Sequence, residues 1–498
     1  MKKWIILIFI VMFMAPQAAL AAPIDYAGGV YDEYEYQEWV FVSGDPVLFT
    51  GEVKISDTIK TDSRSLRYTF TLTSADGGKL SRTASYNVNF SKHAEQGQTI
   101  NNSELKSYKE TITIGNDKYV LDDVQFSKSE VVDNRPASDF SSGTMTMKKI
   151  YLLNKNEGKV IIDINGGSVG YENFWGNTET QLLDYYIASE RKDTSDINAR
   201  SYTWEGSVHV SISDSLRKSL RFADNESSLS SFSGANMKVT EQGMYSRYDF
   251  DLPIFTESSS TRGIPIPLGD RRVQYSRELS KERMPLVQRM IIPKFKDVGG
   301  NWAQEAIEQL YSCEVFSGDT QFFVPEVPIT RGDFLAAVVR ACDMRASDSG
   351  KKTSRTKKTA EVSPFQDVPT SDADYEAIKL AMEKGLVSGM APGYFGKQET
   401  LNRAQAVTIL IQALGFDNLA PTPGYFSGFS DDQKIPSWAK DSVYMAGRIG
   451  LVQGDAYNRF NPDQVLTRAE ASVLLVKFLS FLQSDLQKDY RDQIVLYR

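Results

Sequence analysis

One ordered set of landmarks occurs three times in the C-terminal part of the chain, and this repetition constrains the fold more than any other feature. Each copy opens with a phenylalanine two residues before an aspartate, at Phe295, Phe365 and Phe429. An amphipathic run follows and ends in an apolar pair and a glycine. The three glycines are Gly318, Gly389 and Gly454. The common order predicts tandem all-α units, each built of a helix, a loop and a second helix.

Each second helix has a recognisable start. The predicted N-caps, whose side-chain oxygens accept an otherwise unpaired backbone N–H, are Thr330, Asn402 and Thr467. An acidic or amide residue stands three positions after each cap, which predicts a reciprocal capping box. These residues are Asp333, Gln405 and Glu470.

An arginine directly follows each predicted cap, at Arg331, Arg403 and Arg468. A cation there faces the positive end of the helix dipole, so helix stability does not account for it. Two interpretations stay open. In the first, the helix start and the guanidinium together hold a carboxylate or other anionic ligand. In the second, each arginine forms a structural salt bridge with an opening aspartate, Asp297, Asp367 or Asp431.

The three segments resemble S-layer homology repeats, a family whose second helix begins close to Thr-Arg-Ala-Glu. The third unit has this sequence intact from Thr467 to Glu470. The resemblance implies three units packed around a pseudo-threefold axis, with grooves between units that bind secondary cell wall polysaccharide, often pyruvylated. It places ligand-binding positions at the helix start, the opening aspartate, the pre-loop glycine and the first-helix tryptophan. In this chain they are Arg331, Arg403, Arg468, Asp297, Asp367, Asp431, Trp302, Trp438, Thr330, Asn402, Thr467, Gly318, Gly389 and Gly454.

The units depart unequally from the family pattern. The first reads Thr-Arg-Gly-Asp and has Glu314 where the others have Gly385 and Gly450 at the end of the first helix. A non-glycine residue there must adopt a left-handed conformation at some cost, or turn differently. The second unit has Ala373 in place of tryptophan. We therefore expect unequal grooves, with the third unit nearest to the family pattern.

The N-terminal half has a different pattern. Short alternating runs separated by Gly, Asn, Asp and Ser predict an all-β, sandwich-like region over residues 22–255. One hairpin is predicted from Thr144–Leu153 and Lys159–Asn165, and one short helix over Glu179–Ser189. The tyrosines and tryptophan near the N-terminus are either a sugar-stacking surface or buried packing. They are Tyr31, Tyr34, Tyr36 and Trp39.

Two segments of this region repeat faintly. Gly51–Ser56 resembles Gly206–Ser211, and Arg67–Leu72 resembles Arg247–Leu252. Alternating strands look alike by chance, so a duplication with a boundary near residue 195 stays open.

The sequence thus divides into segments of different character. They are a signal peptide at 1–21, the β-rich region at 22–255, a linker at 256–294, the first unit at 295–344, a basic insertion loop at 345–364, the second unit at 365–416, the third unit at 429–483 and a C-terminal tail at 484–498.

Charge and rare residues narrow the functional classes. Two lysines, an apolar run too short to span a bilayer and Ala19-Leu20-Ala21 predict a cleaved export signal and no membrane segment afterwards. A net charge of −8 argues against a nucleic-acid partner. The two histidines are far apart in sequence, so no metal site, cofactor or catalytic triad is predicted. Cys313 and Cys342 either pair or are buried thiols.

Taken together, these features predict a secreted protein held non-covalently on the wall of a Gram-positive-type envelope. The expected partner is the secondary polysaccharide attached to peptidoglycan, and other S-layer or envelope proteins are further candidates. The β-rich region is expected to be displayed in a structural or binding role, and no catalytic motif is found. Two alternatives stay open: an envelope glycan hydrolase anchored by the repeats, and a lattice-forming S-layer subunit.

Overall fold

The computed structural model of the protein describes most of the chain. The described residues are 27–192, 201–223, 235–256, 266–290, 292–316, 321–342, 344, 362–421 and 424–487. The predicted signal peptide, Gly318, most of the basic insertion loop and the end of the C-terminal tail lie outside them.

The N-terminal region is one antiparallel sheet whose first thirteen strands pair successively along the chain, while the last strand pairs with the twelfth. Its strands are β1 (Val30–Asp32), β2 (Glu35–Val40), β3 (Val47–Ile59), β4 (Ser63–Ser74), β5 (Lys79–His93), β6 (Gln98–Ile114), β7 (Asp117–Asn134), β8 (Ser138–Leu153), β9 (Gly158–Asn173), β10 (Gly176–Lys192), β11 (Ser201–Ala223), β12 (Ala235–Thr256), β13 (Ile266–Glu282) and β14 (Leu286–Arg289). The all-β prediction is confirmed, but the described strands form a single continuous sheet and not the two stacked sheets of a sandwich.

Alternation along each strand explains why these residues form a sheet. In β4, Leu66, Tyr68, Phe70 and Leu72 are buried, and the residues between them are more exposed. The predicted hairpin is confirmed: β8 and β9 pair from Leu153 opposite Gly158.

The sheet curves until its first and last strands meet. The Tyr248 hydroxyl of β12 donates to the Ala27 carbonyl at 3.1 Å. Lys281 of β13 lies 2.6 Å from a Glu35 carboxylate oxygen of β2. Inward-facing side chains therefore share one core, which contains Tyr31 and Tyr36. Packing is the correct interpretation for those two tyrosines, whereas Tyr34 is exposed.

Two expectations for this region were wrong, and the open alternative of a boundary near residue 195 finds no support in the strand pairing. The predicted helix at Glu179–Ser189 lies within β10. Its sequence misleads because Leu182 and Tyr186 make the outward face apolar as well, so strand alternation is blurred. The predicted linker contains β13 and β14, both mostly exposed at the sheet edge and therefore weakly patterned. The strands on either side of residue 195 pair with each other, so no domain boundary separates them.

The C-terminal region is helical, as predicted. Its helices are α1 (Gln304–Ser312), α2 (Arg331–Ala341), α3 (Tyr375–Glu383), α4 (Arg403–Leu414), α5 (Ser437–Arg448) and α6 (Arg468–Gln487). Each unit contributes two in succession, and their apolar faces form a common core. Among the described residues, no helix combines the length and apolar character needed to cross a bilayer.

Backbone hydrogen bonds just before the second helices join the three units in a closed cycle. The Ile329 N–H donates to the Leu466 carbonyl at 2.9 Å, the Leu466 N–H to Leu401 at 3.0 Å, and the Leu401 N–H to Ile329 at 3.2 Å. Each unit therefore contacts both others. Residues that are far apart in sequence lie side by side where two units meet.

The sheet packs directly against the helical units. The Ala137 N–H donates to the Ala413 carbonyl at 2.9 Å, and the Asn173 side-chain amide donates to the Leu482 carbonyl at 3.0 Å. Tyr171 and the buried Trp175 belong to the same apolar cluster as the helix residues. The two halves of the chain therefore share part of their buried surface.

Candidate functional site

The three second helices start as the sequence predicts. The side chains of Thr330, Asn402 and Thr467 accept the backbone N–H three residues later at 3.1, 2.9 and 3.2 Å. The reciprocal half of the capping box is present at Gln405 and at Glu470, which accept the cap N–H at 3.1 and 2.9 Å. Those two helix starts are therefore the more completely satisfied.

The backbone N–H groups of the first two residues in each second helix already donate to carbonyl groups of another unit. The N–H of Arg331 donates to the Glu399 carbonyl at 2.8 Å, and that of Gly332 donates to the Lys397 carbonyl at 3.0 Å. The second and third units repeat this pattern with carbonyls of the next unit in the cycle. Of the first interpretation, in which helix start and guanidinium together hold an anion, the backbone N–H groups are thus occupied, and the guanidinium groups are the part left for a ligand.

Each arginine side chain reaches across to the neighbouring unit. Arg331 Nη2 donates to the Ser388 carbonyl at 2.8 Å, and Arg403 Nη2 donates to the Gln453 carbonyl at 3.0 Å. Arg468 Nε donates to the Phe323 carbonyl at 2.9 Å. The guanidinium carbons lie 5.1, 5.2 and 4.5 Å from the ring centroids of the loop phenylalanines. These rings are Phe395, Phe460 and Phe323, so the arginines line the three boundaries between units.

The opening aspartates hold the loops of their own units. Asp297 accepts the N–H groups of Phe323 and Val324 at 2.9 and 2.7 Å. Asp431 accepts those of Phe460 and Asn461 at 2.7 and 2.8 Å. Among the described residues these carboxylates form no salt bridge with the arginines, so that structural interpretation is wrong.

Asp367 makes the fullest set of these loop contacts. It accepts the N–H groups of Phe395, Gly396 and Lys397 at 2.8, 2.8 and 3.0 Å. Burial alone would raise the pKa of this carboxyl, but the three backbone donors outweigh burial and lower the pKa below its ordinary value. Asp367 is therefore ionised at neutral pH and shapes the loop that Arg331 contacts.

The two described pre-loop glycines permit close approach of the backbone. A Cβ at Gly389 would lie 2.9 Å from the Phe365 ring and 3.0 Å from the Tyr394 carbonyl. A Cβ at Gly454 would lie 2.8 Å from the backbone of Asn458. These glycines therefore set the shape of the loop.

The three arginines differ in how fully they are paired. Arg331 and Arg403 each have a buried Nε with no hydrogen-bond partner and, within the described part of the chain, no carboxylate at salt-bridge distance. Burial lowers the pKa of both guanidinium groups from the ordinary value. Arg468, in contrast, lies 3.4 Å from the Asp333 carboxylate. The third arginine is therefore partly neutralised by the first unit.

The two tryptophans are exposed, Trp302 by 64% and Trp438 by 56%. Trp302 lines a cavity of about 570 Å³ between α1 and the ends of β11 and β12, and none of the three arginines lines it. The structure therefore places Trp302 at the junction with the sheet.

Sequence reasoning missed two residues of this site. Asp333 was assigned only to a capping box, yet its carboxylate meets Arg468. Lys397 lies against the first unit, where a Cβ at Gly332 would come 2.5 Å from its Cγ. This crowding explains why the first unit has glycine where the others have alanine. Both contacts join different units, so no local pattern signals them.

Titratable side chains elsewhere offer no metal centre within the described ranges. Cys313 and Cys342 are free thiols, and burial raises the pKa of both, that of Cys313 to about 11. Of the two alternatives for these cysteines, the structure shows separate thiols and no disulfide: Cys313 is partly buried and Cys342 is buried.

Comparison with known proteins agrees with this geometry. Residues 294–335, 364–407 and 428–472 match the S-layer homology domain. The chain is 28% identical over 193 residues to "Exoglucanase XynX" of Acetivibrio thermocellus, a match covering 37% of this chain and 16% of that protein. It is 25% identical over 195 residues to "Surface-layer 125 kDa protein" of Lysinibacillus sphaericus, covering 38% and 15%.

A third relative is "Middle cell wall protein" of Brevibacillus brevis, 31% identical over 123 residues, which are 24% of this chain and 12% of that protein. The chain spans less than a fifth of the length of each of these relatives. What they share with it is the S-layer homology unit. The chain carries three tandem S-layer homology domains and is a secreted, cell-wall-associated surface protein.

Proposed function

We propose that the three units hold the protein non-covalently on the cell wall by binding an anionic secondary wall polysaccharide. The units pack around a pseudo-threefold axis, and the polymer occupies the boundaries between them. The pyruvyl carboxylate of such a polymer is the group that the arginines contact. The N-terminal sheet is displayed outward as a module with a structural or binding role.

The observation that carries this proposal is the state of Arg331 and Arg403. Each is half-buried, retains an unpaired Nε and has no carboxylate partner within the described residues. Burial disfavours both cations, and at Arg403 it outweighs the more distant carboxylates of Glu470 and Asp431. A poorly compensated cation gains free energy from an anionic ligand, and an Arg–carboxylate pair adds a directional hydrogen bond.

The other site residues support the arginines. The aspartates and pre-loop glycines fix the loops whose phenylalanines lie against the guanidinium groups. Trp438 supplies an exposed ring that can stack on sugar, whereas Trp302 lies apart from the arginines at the junction with the sheet. We assign the main binding to the boundaries of Arg331 and Arg403. The third boundary, which is nearest to the family pattern in sequence, is weakened because Asp333 competes with the ligand for Arg468.

Co-sedimentation of the purified chain with peptidoglycan sacculi tests the proposal. We expect binding to intact sacculi and none to sacculi stripped of their secondary polymer by acid. Arg331→Ala and Arg403→Ala should each weaken binding about tenfold or more, the loss expected for a charge-assisted hydrogen bond. Arg468→Ala should have a smaller effect, and Asp333→Asn should strengthen binding by releasing Arg468.

Arg448→Ala is the matched control, because Arg448 is an exposed arginine in the last turn of α5. It should bind as the unchanged chain does. Equal binding to intact and stripped sacculi would overturn the proposal. Unchanged binding of both Arg331→Ala and Arg403→Ala would show instead that these arginines only join the units.

A further inference from the structure

A groove crosses the outer face of the sheet over β10, β11, β12 and β13. It has a volume of about 500 Å³, and its lining contains no residue of the helical units. Strand register arranges its floor as two rows of four side chains. The first row is Asp184, His209, Asp249 and Ser276, and the second is Tyr186, Ser207, Asp251 and Gln274.

Hydrogen bonds between neighbouring strands and along β12 hold the polar groups of the floor in place. His209 Nδ1 lies 2.7 Å from Asp184 Oδ1. The Ser276 hydroxyl donates to Asp249 Oδ1 at 2.5 Å, and Arg247 Nε donates to the same oxygen at 3.0 Å. Acceptors fixed on paired strands lose little entropy when a ligand binds.

Tyr186 supplies an aromatic surface at the β10 end of the second row. Its side chain is 58% exposed, and no ring contact is formed by it among the described residues. A tyrosine in this position offers a flat apolar face with a polar tip, as sugar-binding surfaces require.

The sheet does not need these residues for its fold. The hairpin formed by β3 and β4, whose sequence faintly resembles that of β11 and β12, has the same register, with Lys54 opposite Thr69 where β11 and β12 have His209 opposite Asp249. The same backbone framework thus forms without the carboxylate–histidine row. The groove residues therefore call for an explanation other than hairpin stability.

The charged residues of the lining indicate which class of ligand fits the groove. Asp184, Asp249 and Asp251 line the groove, and no lysine or arginine does. Arg247 pairs with Asp249 and Arg272 pairs with Asp251 from beside the groove, so these cations are already used and the lining itself offers no lysine or arginine to an anionic polymer. Sugar hydroxyls, in contrast, donate well to carboxylate oxygens. We propose that this groove binds an uncharged oligosaccharide, with its hydroxyls on the three aspartates and one ring face on Tyr186. The protein would then bind two chemically different glycans, one at the helical units and one on the sheet.

Calorimetric titration of the full chain with soluble oligosaccharides tests this inference. The uncharged probes are hexamers of β-1,4-linked glucose, α-1,4-linked glucose and β-1,4-linked N-acetylglucosamine, and the charged probe is oligogalacturonate. We expect at least one uncharged probe to bind and oligogalacturonate not to bind in the groove. Tyr186→Ala and Asp249→Asn should each weaken that binding about tenfold.

Two control variants test whether the measured binding takes place in the groove. Tyr34→Ala removes another tyrosine that is 70% exposed and lies outside the groove, and it should leave binding unchanged. Arg403→Ala should also leave it unchanged, which separates this site from wall anchoring. Absence of binding by every uncharged probe at millimolar concentration would overturn the inference. Equal binding by the Tyr186→Ala and unchanged chains would overturn it too.

Discussion

Four charged side chains lie together inside the curved sheet. Arg82 donates to Glu110 and to Glu38, each at 2.7 Å, and Lys149 lies 3.4 Å from Glu110. All four are almost completely buried. Two cations balance two anions, so the group is tolerated only while each member keeps its partners.

Replacing one member tests this balance. Glu110→Gln removes a charge but nearly preserves shape, and it leaves Lys149 buried without its counterion. The free energy of unfolding should fall by about 3–5 kcal/mol, as measured by urea denaturation. Glu104→Gln is the control, because Glu104 pairs with Lys106 on the surface and its loss should leave the urea midpoint unchanged. Equal small effects of both changes would contradict this account.

The same carboxyl makes stability depend on pH. Burial opposes ionisation of Glu110, but the Arg82 and Lys149 cations outweigh it and lower its pKa to about 2 from an ordinary 4.5. The unfolded chain therefore binds a proton first as pH falls. The stabilisation is complete above about pH 4.5 and is lost towards pH 2. The stability difference between the unchanged chain and Glu110→Gln should shrink over this interval, and a constant difference would refute the assignment.

At the scale of single elements, the first helices of the three units end in the same left-handed turn. Gly385 and Gly450 follow α3 and α5 with φ of 72° and 76°. Glu314 follows α1 with φ of 59°. Of the two options left by the sequence, the non-glycine residue thus adopts the left-handed conformation and bears its steric cost.

Exchange of residues at this turn gives opposite effects in two units. Glu314→Gly should raise the free energy of unfolding by about 0.5–1 kcal/mol, because the steric cost disappears while some unfolded-state entropy is gained. Gly385→Ala should lower it by about 1 kcal/mol. No atom lies within 4 Å of the added Cβ at Gly385, so only the backbone conformation is tested. Thermal denaturation measures both, and shifts of the same sign would be inconsistent with this explanation.

The faint repeat in the β-rich region belongs to this scale too. Gly51–Ser56 pairs with Arg67–Leu72 in β3 and β4, and Gly206–Ser211 lies beside Arg247–Leu252 in β11 and β12. Ser56 stands opposite Arg67 as Ser211 stands opposite Arg247. Equal register supports a repeated hairpin, although both copies belong to one sheet.

At the scale of the whole molecule, the sheet and the helical units share buried surface around Trp175. The Arg135 guanidinium lies 4.4 Å from the Phe140 ring of the sheet and 5.6 Å from the Phe416 ring of the helical region. Such shared packing couples the sheet to the helical units.

Trp175→Ala tests this coupling. The loss of a fully buried ring from the shared cluster should separate the unfolding of the sheet from that of the helical units. Calorimetry should show two transitions in the variant where the unchanged chain shows one. Trp204→Ala is the matched control, since Trp204 packs on Phe255 within the sheet, and it should keep a single transition. A single transition in Trp175→Ala would place the coupling elsewhere.

The sequence alone determined the features that depend on neighbouring residues. The caps at Thr330, Asn402 and Thr467, the order of the three units and the hairpin of β8 and β9 follow from local hydrogen bonding and periodicity. Such signals span only a few residues, so they can be recognised without knowing which other parts of the chain pack against them.

Only the tertiary structure decided which distant groups meet. The pairing of Arg468 with Asp333, the occupied helix starts and the closure of one sheet in place of two all join residues far apart along the chain. β13 escaped prediction because an exposed edge strand has almost no buried side to pattern. Contacts between distant residues depend on how the whole molecule packs. A local sequence pattern therefore does not specify them.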